Sequence, residues 1–529
     1  TAFWETGWTA IISYMFSALA LFGCFDATSF ASDDFSNVRR QYETFPYPDI
    51  GSASSIDDAV FLKREAPRLL MANHFLYNGA WFKTVGRSTT RPLKVLIAGG
   101  GTGRDTVLIA KEMEDSGIIG SITHLDLSQA SVNVAQEWVN AAGLQHRVYF
   151  ERNSIENFTV QYEIDGLPLF EFIWCSGVLH HLNDPLAGLV GLRRIMAPDG
   201  GMFVMVYGLH GRAGVYDMQA ALRYALPSDE MLSDTERVSE LKDFLFGDAA
   251  DKSRNKSHGI FGLADTSIMA LNQEMAKQLY KNDASLFDTV LHSQDVAFSV
   301  ADFYEYVSSA GLRLVTMIPE ASYEPNYTVF QTRTARESYM ARRIHNRTRL
   351  EQFHFSELMT SRPTYHSAFI SHLENTTAYP KSFDFAGLPW CCEDRSWMHK
   401  KTPVVLNAKE LQFQQSLIPF LQRMAVFRQS PDMHFELSRD QGRAMAKIQL
   451  PVLAFAFVEA SLTGSRTAAK IIGDVHSAAQ MWAEELNATL QAKELKIDME
   501  PLSYQEVEDQ FCDWAHKMEA TVKVLWIHV

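Results

Sequence analysis

From Pro92 onward the chain alternates short apolar runs with amphipathic stretches. The runs are KVLIAGG, SITHLDL, RVYFERN, FEFIWCS and GMFVMVYG. Continuous β-rich runs of this length suit strands buried on both faces of a parallel sheet. Between them, TVLIAKEMEDSG and QASVNVAQEWVNAAG carry apolar residues at helical spacing. This repetition of strand and helix predicts a doubly wound α/β sheet. After Tyr207 the rhythm stops. VYDMQAALRYAL and SIMALNQEMAKQLY read as helices on either side of the polar, glycine-containing GDAADKSRNKSHGIFG. The alternation then returns with SVADFYEYVSSAG as a helix, LRLVTMIPE as a strand and NYTVFQT as a further candidate strand. Residues 209–298 therefore read as a helical insertion after strand 5. Such an insertion is placed to act as a lid over the carboxyl edge of the sheet, where open α/β folds bind ligands, with Gly247 to Gly262 as its hinge.

The flanks carry other patterns. Residues 31–90 read as a helical extension: SDDFSNVRRQYE opens with capping residues, and FPYP (Phe45 to Pro48) breaks the helix. DDAVFLKREAPRLLMANHF forms a second helical stretch. Residues 91–335 take in the sheet, and residues 340–529 read as a separate, mainly helical C-terminal domain with an irregular centre at PWCCEDRSW. Residues 1–30 form a hydrophobic N-terminal segment, in which Thr6 to Phe25 has no charged residue between Glu5 and Asp26. About 20 such residues make a helix of about 30 Å, the thickness of a bilayer core, and Trp4 and Trp8 lie where an interfacial aromatic belt would be. The leading expectation is a membrane anchor, in an organelle or elsewhere, or contact with a hydrophobic membrane-protein partner; a soluble helix buried against a partner and a cleavable targeting segment are the competing ones. The rest of the chain is expected to be soluble.

Composition narrows the functions. The chain has 529 residues, of which 47% are apolar, and a formal net charge of −15. Acidic residues are spread along it, which argues mildly against a phosphate-backbone partner without excluding a local basic groove, and no nucleic-acid partner is expected. Five cysteines, Cys24, Cys175, Cys391, Cys392 and Cys512, show no CxxC spacing. Neither a disulfide framework nor a metal site is expected, and Cys391 and Cys392 read as buried packing.

The chemistry begins at VLIAGGGTGRDT (Val95 to Thr106), a strand running into a glycine-rich turn and a helix. Glycines there allow a ligand close to main-chain N–H groups at a helix start. Alone, the turn also fits dinucleotide-binding folds. Three further stretches follow: THLDLS with Asp126, ERNSIENF with Asn153 and Ser154, and FEFIWCSGVLHHLNDP leading into LRRIMAPDGGMFVMVYG. Over roughly residues 91–207 the chain thereby resembles the class I S-adenosylmethionine-dependent methyltransferases. Their stretches VLDxGCGTG, VxGxDxS, FDxVxxxxVLHHL and LxPGGxLxI occur in this order. QYETFPYP, VYGLHGRAGVYDMQAALR and FDTVLHSQDVAFSVADFYEYVSSAGLRLV resemble a bacterial-type subgroup with N- and C-terminal extensions.

The resemblance implies a Rossmann-like methyltransferase sheet and S-adenosyl-L-methionine as cofactor. Gly99, Gly101, Thr102 and Gly103 would wrap its methionine part, and Asp126 would hold the ribose, with Leu127 near the adenine. Asn153, Ser154 and Ile155 would flank the adenine, and Cys175 would begin the loop under the sulfonium. Ile97 departs from the usual acidic residue, Gly100 from the common cysteine, and Ser154 from a frequent aspartate.

His180 and His181 are the catalytic candidates, as a base for a hydroxyl or amine, against a purely structural reading of VLHHL. Tyr216, Gln219 and Arg223 share a helical face, as a substrate-facing stripe or as a solvated one. Arg212 could bind an anionic group, whereas His292 and Asp295 read as caps of a turn. The expected function is methyl transfer to an unidentified small-molecule O or N acceptor. The alternative is a membrane-associated structural or assembly subunit with a degenerate methyltransferase fold, and fold alone does not choose between them.

Overall fold

The computed structural model describes residues 36–51, 67–77, 79–83, 85–86, 91–227, 231–246, 279, 282–361, 363–375, 401–405, 434–441, 444–451, 456–457, 461, 467–492, 501–520 and 524–528. Two helices, α1 (Ser36–Thr44) and α2 (Arg68–Tyr77), precede the sheet. The βα alternation then runs β1 (Leu93–Ala98), α3 (Arg104–Asp115), β2 (Gly120–Asp126), α4 (Gln129–Ala141), β3 (Val148–Arg152), α5 (Ile155–Ile164), β4 (Phe170–Ser176), α6 (Pro185–Arg194) and β5 (Met196–Tyr207). These five strands are parallel, with β1 at the centre between β2 and β4.

Side chains alternate between the two faces of each strand, so each face buries its own layer. On one side Val95 and Ile97 pack with Leu69 and Phe75 of α2, Val107 of α3 and Trp138 of α4. On the other, Leu96 and Ala98 join Phe158, Leu189, Leu192 and Phe303. Capping side chains fix where the helices start. Ser128 accepts from the Ser131 N–H at 3.1 Å, Ser154 from Asn157 at 3.1 Å and Asp184 from Ala187 at 2.9 Å. The helix N-termini are thereby aligned along the carboxyl edge of the sheet.

The insertion contributes α7 (Ala213–Ala225), α8 (Asp234–Phe246) and a short helix at Asp283–Leu286 that widens into a π-turn at Phe287–Leu291. Then come α9 (Val300–Ser309), β6 (Leu312–Met317), α10 (Arg349–Thr360) and β7 (Tyr365–His372). The strand order is β3-β2-β1-β4-β5-β7-β6. β7 runs antiparallel to both of its neighbours.

Two expectations need correcting here. The seventh strand is YHSAFISH, beyond residue 335, and the sheet therefore draws on the stretch assigned to the C-terminal domain. NYTVFQT supplies no strand, because Pro325 starts the short helix Pro325–Thr328 and overrides the local β-preference. The C-terminal stretch contains the long helices α11 (Ala468–Ala492) and α12 (Tyr504–Ala520). It also holds two antiparallel ribbons unforeseen in the sequence: β8 (Lys401–Val405) with β11 (Val524–His528), and β9 (His434–Gln441) with β10 (Ala444–Pro451). Among the described residues no helix is long and apolar enough to cross a membrane. The proposed anchor, Thr6 to Phe25, lies outside the described residues, as do Cys391, Cys392 and the hinge Gly247 to Gly262.

β7 is tied to α10 through a buried carboxylate and imidazole. Glu357 of α10 lies 3.2 Å from His366 of β7, and both side chains are 0% exposed. The other Glu357 oxygen accepts from the Val300 N–H at 2.9 Å, and the Tyr323 hydroxyl lies 3.1 Å from His366 Nδ1. Burial alone would raise the Glu357 carboxyl, but the His366 ring and the Val300 N–H outweigh it and hold it below the usual range. Glu357→Ala leaves the imidazole without its carboxylate, and urea unfolding should show a loss of about 3–5 kcal/mol. A loss under about 1 kcal/mol, the worth of an exposed pair, would mean that the sheet ladders and apolar packing hold β7 without this contact.

Candidate active site

The turn after β1 is shaped by backbone that only glycine adopts without strain. Gly101 has φ 52° and Gly103 φ 92°. A Cβ at Gly101 would strike the Tyr47 carbonyl oxygen, and one at Gly103 would come within 2.7 Å of the Ala135 side chain. Gly99 begins the turn at φ 70°. At Gly100 the room for the family's cysteine is filled by the His124 ring. That ring lies 2.8 Å from the Thr106 hydroxyl, and burial pulls it down to about 4, so it stays neutral. Ile97 is buried in the sheet core, where an acidic side chain would lack water. Both departures are thus accommodated by packing.

Asp126 ends β2 directly beside this turn. Its carboxylate accepts from the Gly101 N–H at 2.7 Å and the Ser128 N–H at 2.9 Å. Burial pushes it up to about 6 against those hydrogen bonds. Leu127 follows, half-buried. The Asn153 N–H donates to the Asp126 carbonyl at 3.0 Å, which brings the ends of β2 and β3 together. The Asn153 side chain accepts from the Ser154 N–H at 3.0 Å, and the Ser154 hydroxyl is occupied in capping α5. Gly99, Gly101, Gly103, Asp126, Leu127, Asn153 and Ser154 therefore meet along one edge. Ile155 and Cys175 have their side chains in the core instead, and burial raises the Cys175 thiol to about 12.

A strap formed by α1 and FPYP lies over the turn. The Thr102 N–H donates to the Tyr47 carbonyl at 3.3 Å, and its hydroxyl to the Pro48 carbonyl at 2.5 Å. The Ser128 hydroxyl donates to the Tyr42 carbonyl at 3.0 Å. Glu43 accepts the Gln129 and Ala130 N–H groups at 2.8 and 2.9 Å, where its charge complements the N-terminus of α4. A cavity of about 570 Å³ opens beside the strap, between Phe45, Asp49, Thr102, Lys242 and Asn282.

Next to it, the ends of β4 and β5 and the insertion enclose a polar cluster. His180 and His181 leave β4, Tyr207 ends β5, and Arg212 closes the following turn. Tyr216 and Gln219 come from α7, and Asp288, His292 and Asp295 from the later part of the insertion. The Val296 N–H donates to the His180 carbonyl at 2.9 Å, pinning insertion to loop. Tyr42 and Tyr207 donate to Asp288 at 2.9 and 2.8 Å. The Arg212 guanidinium lies 3.7 Å from the Tyr207 ring centre and 3.6 Å from Asp295 Oδ2. Gln219 donates to the same Asp295 oxygen at 3.2 Å and to the Thr289 carbonyl at 2.9 Å. The His181 and His292 rings stack at 3.8 Å.

His180 is 0% exposed, and neither of its ring nitrogens has a hydrogen-bond partner. His181 Nε2, Arg212 Nε and Nη2, and Asp295 Oδ1 are likewise buried without one. Burial and the neighbouring rings and guanidinium drive His180 well below its usual value, and His292 in the same direction. Burial and then Asp288 raise Tyr42 and Tyr207. Buried polar groups lacking partners in such number mark a place for a ligand.

The cluster unites His180, His181, Arg212, Tyr216 and Gln219. Arg223 is exposed and lies apart from it, because the helix face it shares with Tyr216 turns outward by its last turn. His292 does cap a turn, accepting from the Gln294 N–H at 3.0 Å, yet its ring also stands in the cluster with Asp295. Tyr42, Tyr47, Tyr207 and Asp288 were not singled out in the sequence. The tyrosines' signal was the aromatic content of QYETFPYP and of the end of GMFVMVYG, and that of Asp288 its carboxylate a few residues before LHSQD.

Residues 96–203 match a family described as a methyltransferase domain. An uncharacterised protein of Synechococcus sp. is 26% identical over 299 residues, covering 56% of this chain and 64% of its own. The ubiquinone biosynthesis O-methyltransferase of Haemophilus ducreyi is 23% identical over 111 residues, covering 21% of this chain and 44% of its own. The chain thus spans less than two thirds of either relative. The structure of PKMT2 from Rickettsia typhi in complex with AdoHcy is 12% identical, with a TM-score of 0.49, covering 85% of this chain and 76% of that one. Residues 96–203 thus carry a methyltransferase domain. The glycine turn, whose left-handed backbone carries no side chain, and the Asp126 carboxylate beside it fit its cofactor, S-adenosylmethionine.

Asp126 makes that fit testable by pH. Its folded value, raised to about 6, stabilises the fold most below the unfolded value and withdraws that contribution as pH rises through about 6. A ribose hydroxyl donates to the ionised form, so ligand affinity moves the opposite way. Calorimetric titration with S-adenosylhomocysteine should tighten from pH 5 to 7.5 by about tenfold, with a midpoint near 6. Asp126→Asn should flatten the profile; an unchanged profile would place the ribose elsewhere.

Proposed function

We propose that the chain transfers a methyl group from S-adenosylmethionine to a small molecule through an oxygen or nitrogen atom. The observation that carries this reading is the partnerless His180 side chain, fully buried beside Arg212 at the carboxyl edge. When bound, the cofactor supplies an activated methyl on a sulfonium. What remains for the protein is to align the acceptor, exclude water and lower the acceptor's hold on its proton.

The cluster suits these tasks. His180 is held neutral, so its lone pair is available to the acceptor at physiological pH. His181 presents Nε2 from a ring fixed through Nδ1 to the Gln294 carbonyl at 2.9 Å. Arg212 offers Nε and Nη2 to an anionic group of the acceptor. Tyr216 and Gln219 form the α7 wall, and the buried surroundings favour a small acceptor over a macromolecular one. The name of the Haemophilus relative, an O-methyltransferase, agrees with oxygen as the accepting atom. The packing found at Ile97 and Gly100 supports an intact cradle over a degenerate one.

The test is transfer of labelled methyl from S-adenosylmethionine to small molecules fractionated from a cell extract. The full chain should label a discrete compound, and His180→Ala should slow transfer by about 10²–10⁴-fold while S-adenosylhomocysteine still binds. Label found only on macromolecules, or equal rates in the variant, would overturn the reading.

A further inference from the structure

The cluster contains a set of groups arranged as metal ligands usually are. His180, His181 and Asp295 each offer one ligand atom, and these atoms lie within 4.8 Å of one another. A four-coordinate ion with bonds of about 2.1 Å needs them roughly 3.4 Å apart, so a small inward movement brings them to bonding distance. A second triad, His181, Asp288 and His292, meets the same distance limit, but its atoms are already engaged. Asp288 accepts two tyrosine hydroxyls, and His292 contacts Tyr42 through Nε2 and the Gln294 N–H through Nδ1. In the first triad the facing atoms have no hydrogen-bond partner: both nitrogens of His180, Nε2 of His181 and Oδ1 of Asp295.

Two of the three ligands, His181 and Asp295, are held through their far atoms, while His180 is held by packing. His181 Nδ1 lies 2.9 Å from the Gln294 carbonyl, an acceptor only, so Nδ1 carries the hydrogen and Nε2 the lone pair. Asp295 Oδ2 takes Gln219 Nε2 at 3.2 Å, with Arg212 Nη2 at 3.6 Å, which turns Oδ1 towards the imidazoles. A ligating imidazole whose far nitrogen is tied to a carbonyl, and a carboxylate whose far oxygen is tied to an amide, form the second layer that metal sites require.

We propose that His180, His181 and Asp295 bind one divalent transition-metal ion, zinc being the best match for two imidazoles and a carboxylate. This rests on the reading of the cluster as the acceptor pocket and deepens it. Three protein ligands leave a coordination position open, which suits a hydroxyl-bearing acceptor. With the ion, Arg212, Asp288 and Asp295 leave one positive charge in excess, which an acceptor hydroxyl balances by binding as its oxyanion and releasing its proton to solvent water as it enters. An ion of this kind makes such a proton easier to lose. The imidazole pair then engages the acceptor through the ion.

The experiment uses the full chain, freed of metal by a chelator and titrated with Co²⁺ as a coloured stand-in for Zn²⁺. The expected result is one equivalent bound, with the visible absorption of four- or five-coordinate cobalt, displaced by Zn²⁺. Asp295→Asn and His180→Ala should abolish that absorption, and Gln219→Ala, which only frees Asp295, should weaken binding by about 10–100-fold. His292→Gln should retain it. Folded protein, judged by an unchanged melting profile, that shows no cobalt absorption overturns the proposal. So does loss in His292→Gln with retention in Asp295→Asn. S-adenosylhomocysteine is titrated in the same samples: cobalt bound without it supports the ion and counts against the methyltransferase reading, and the reverse result does the opposite.

Discussion

A guanidinium leaves water only if its charge is met, because an unpaired buried ion costs several kcal/mol. Arg212 is buried at the end of β5, and its charge is met by Asp295 on one side and by the Tyr207 ring face on the other. Those partners come from stretches far apart in sequence. Asp295 reaches Arg212 only if the insertion folds back across β4 and β5, and Gln219 keeps it there from α7. The pocket is therefore tied together by charge as well as by the apolar cluster that joins Val215, Met218 and Leu222 of α7 to Leu286, Phe287 and Val290. The same requirement explains why its floor is aromatic: Tyr207 meets the cation with its face and Asp288 with its hydroxyl.

The strap couples this pocket to the glycine turn. Tyr42 touches Ser128 with its backbone and Asp288 with its hydroxyl, so one residue spans both halves of the edge. Tyr47 does likewise: its carbonyl takes the Thr102 N–H, while its phenol is pushed up by Asp288 and by burial. Glu43 adds a carboxylate at the start of α4. A change in the strap should thus be felt in both halves, although it belongs to neither strand.

The parts legible in the sequence were those set by local rules. Buried strands show as continuous apolar runs, and the glycine turn shows because left-handed backbone admits few other residues. Asp126 was legible by its place at the end of β2. Illegible were contacts that depend on how a long connection returns. Nothing local in LHSQD tells a capped turn from a pocket wall, and His292 serves as both. YHSAFISH forms the strand although NYTVFQT has the better β-composition, because Pro325 claims the latter for a helix start. Ile155 and Cys175 sit at family positions, yet their side chains turn inward, a distinction that residue type alone does not make.

The placing of β7 bears on how the chain reaches this state. Among the described residues β6 has β7 as its only neighbour in the sheet order, and β5 is bordered on its outer side by the same strand. Until residues 365–372 have left the ribosome, β5 presents an open, apolar edge and β6 has nowhere to pair. Pairing across so long a stretch of chain is slow, and an unpaired edge invites association with other chains in the meantime. A fragment ending before Tyr365 would keep the whole glycine turn and Asp126 and still expose that edge. Soluble yield in such fragments would then be governed by edge protection and not by the integrity of the cofactor cradle.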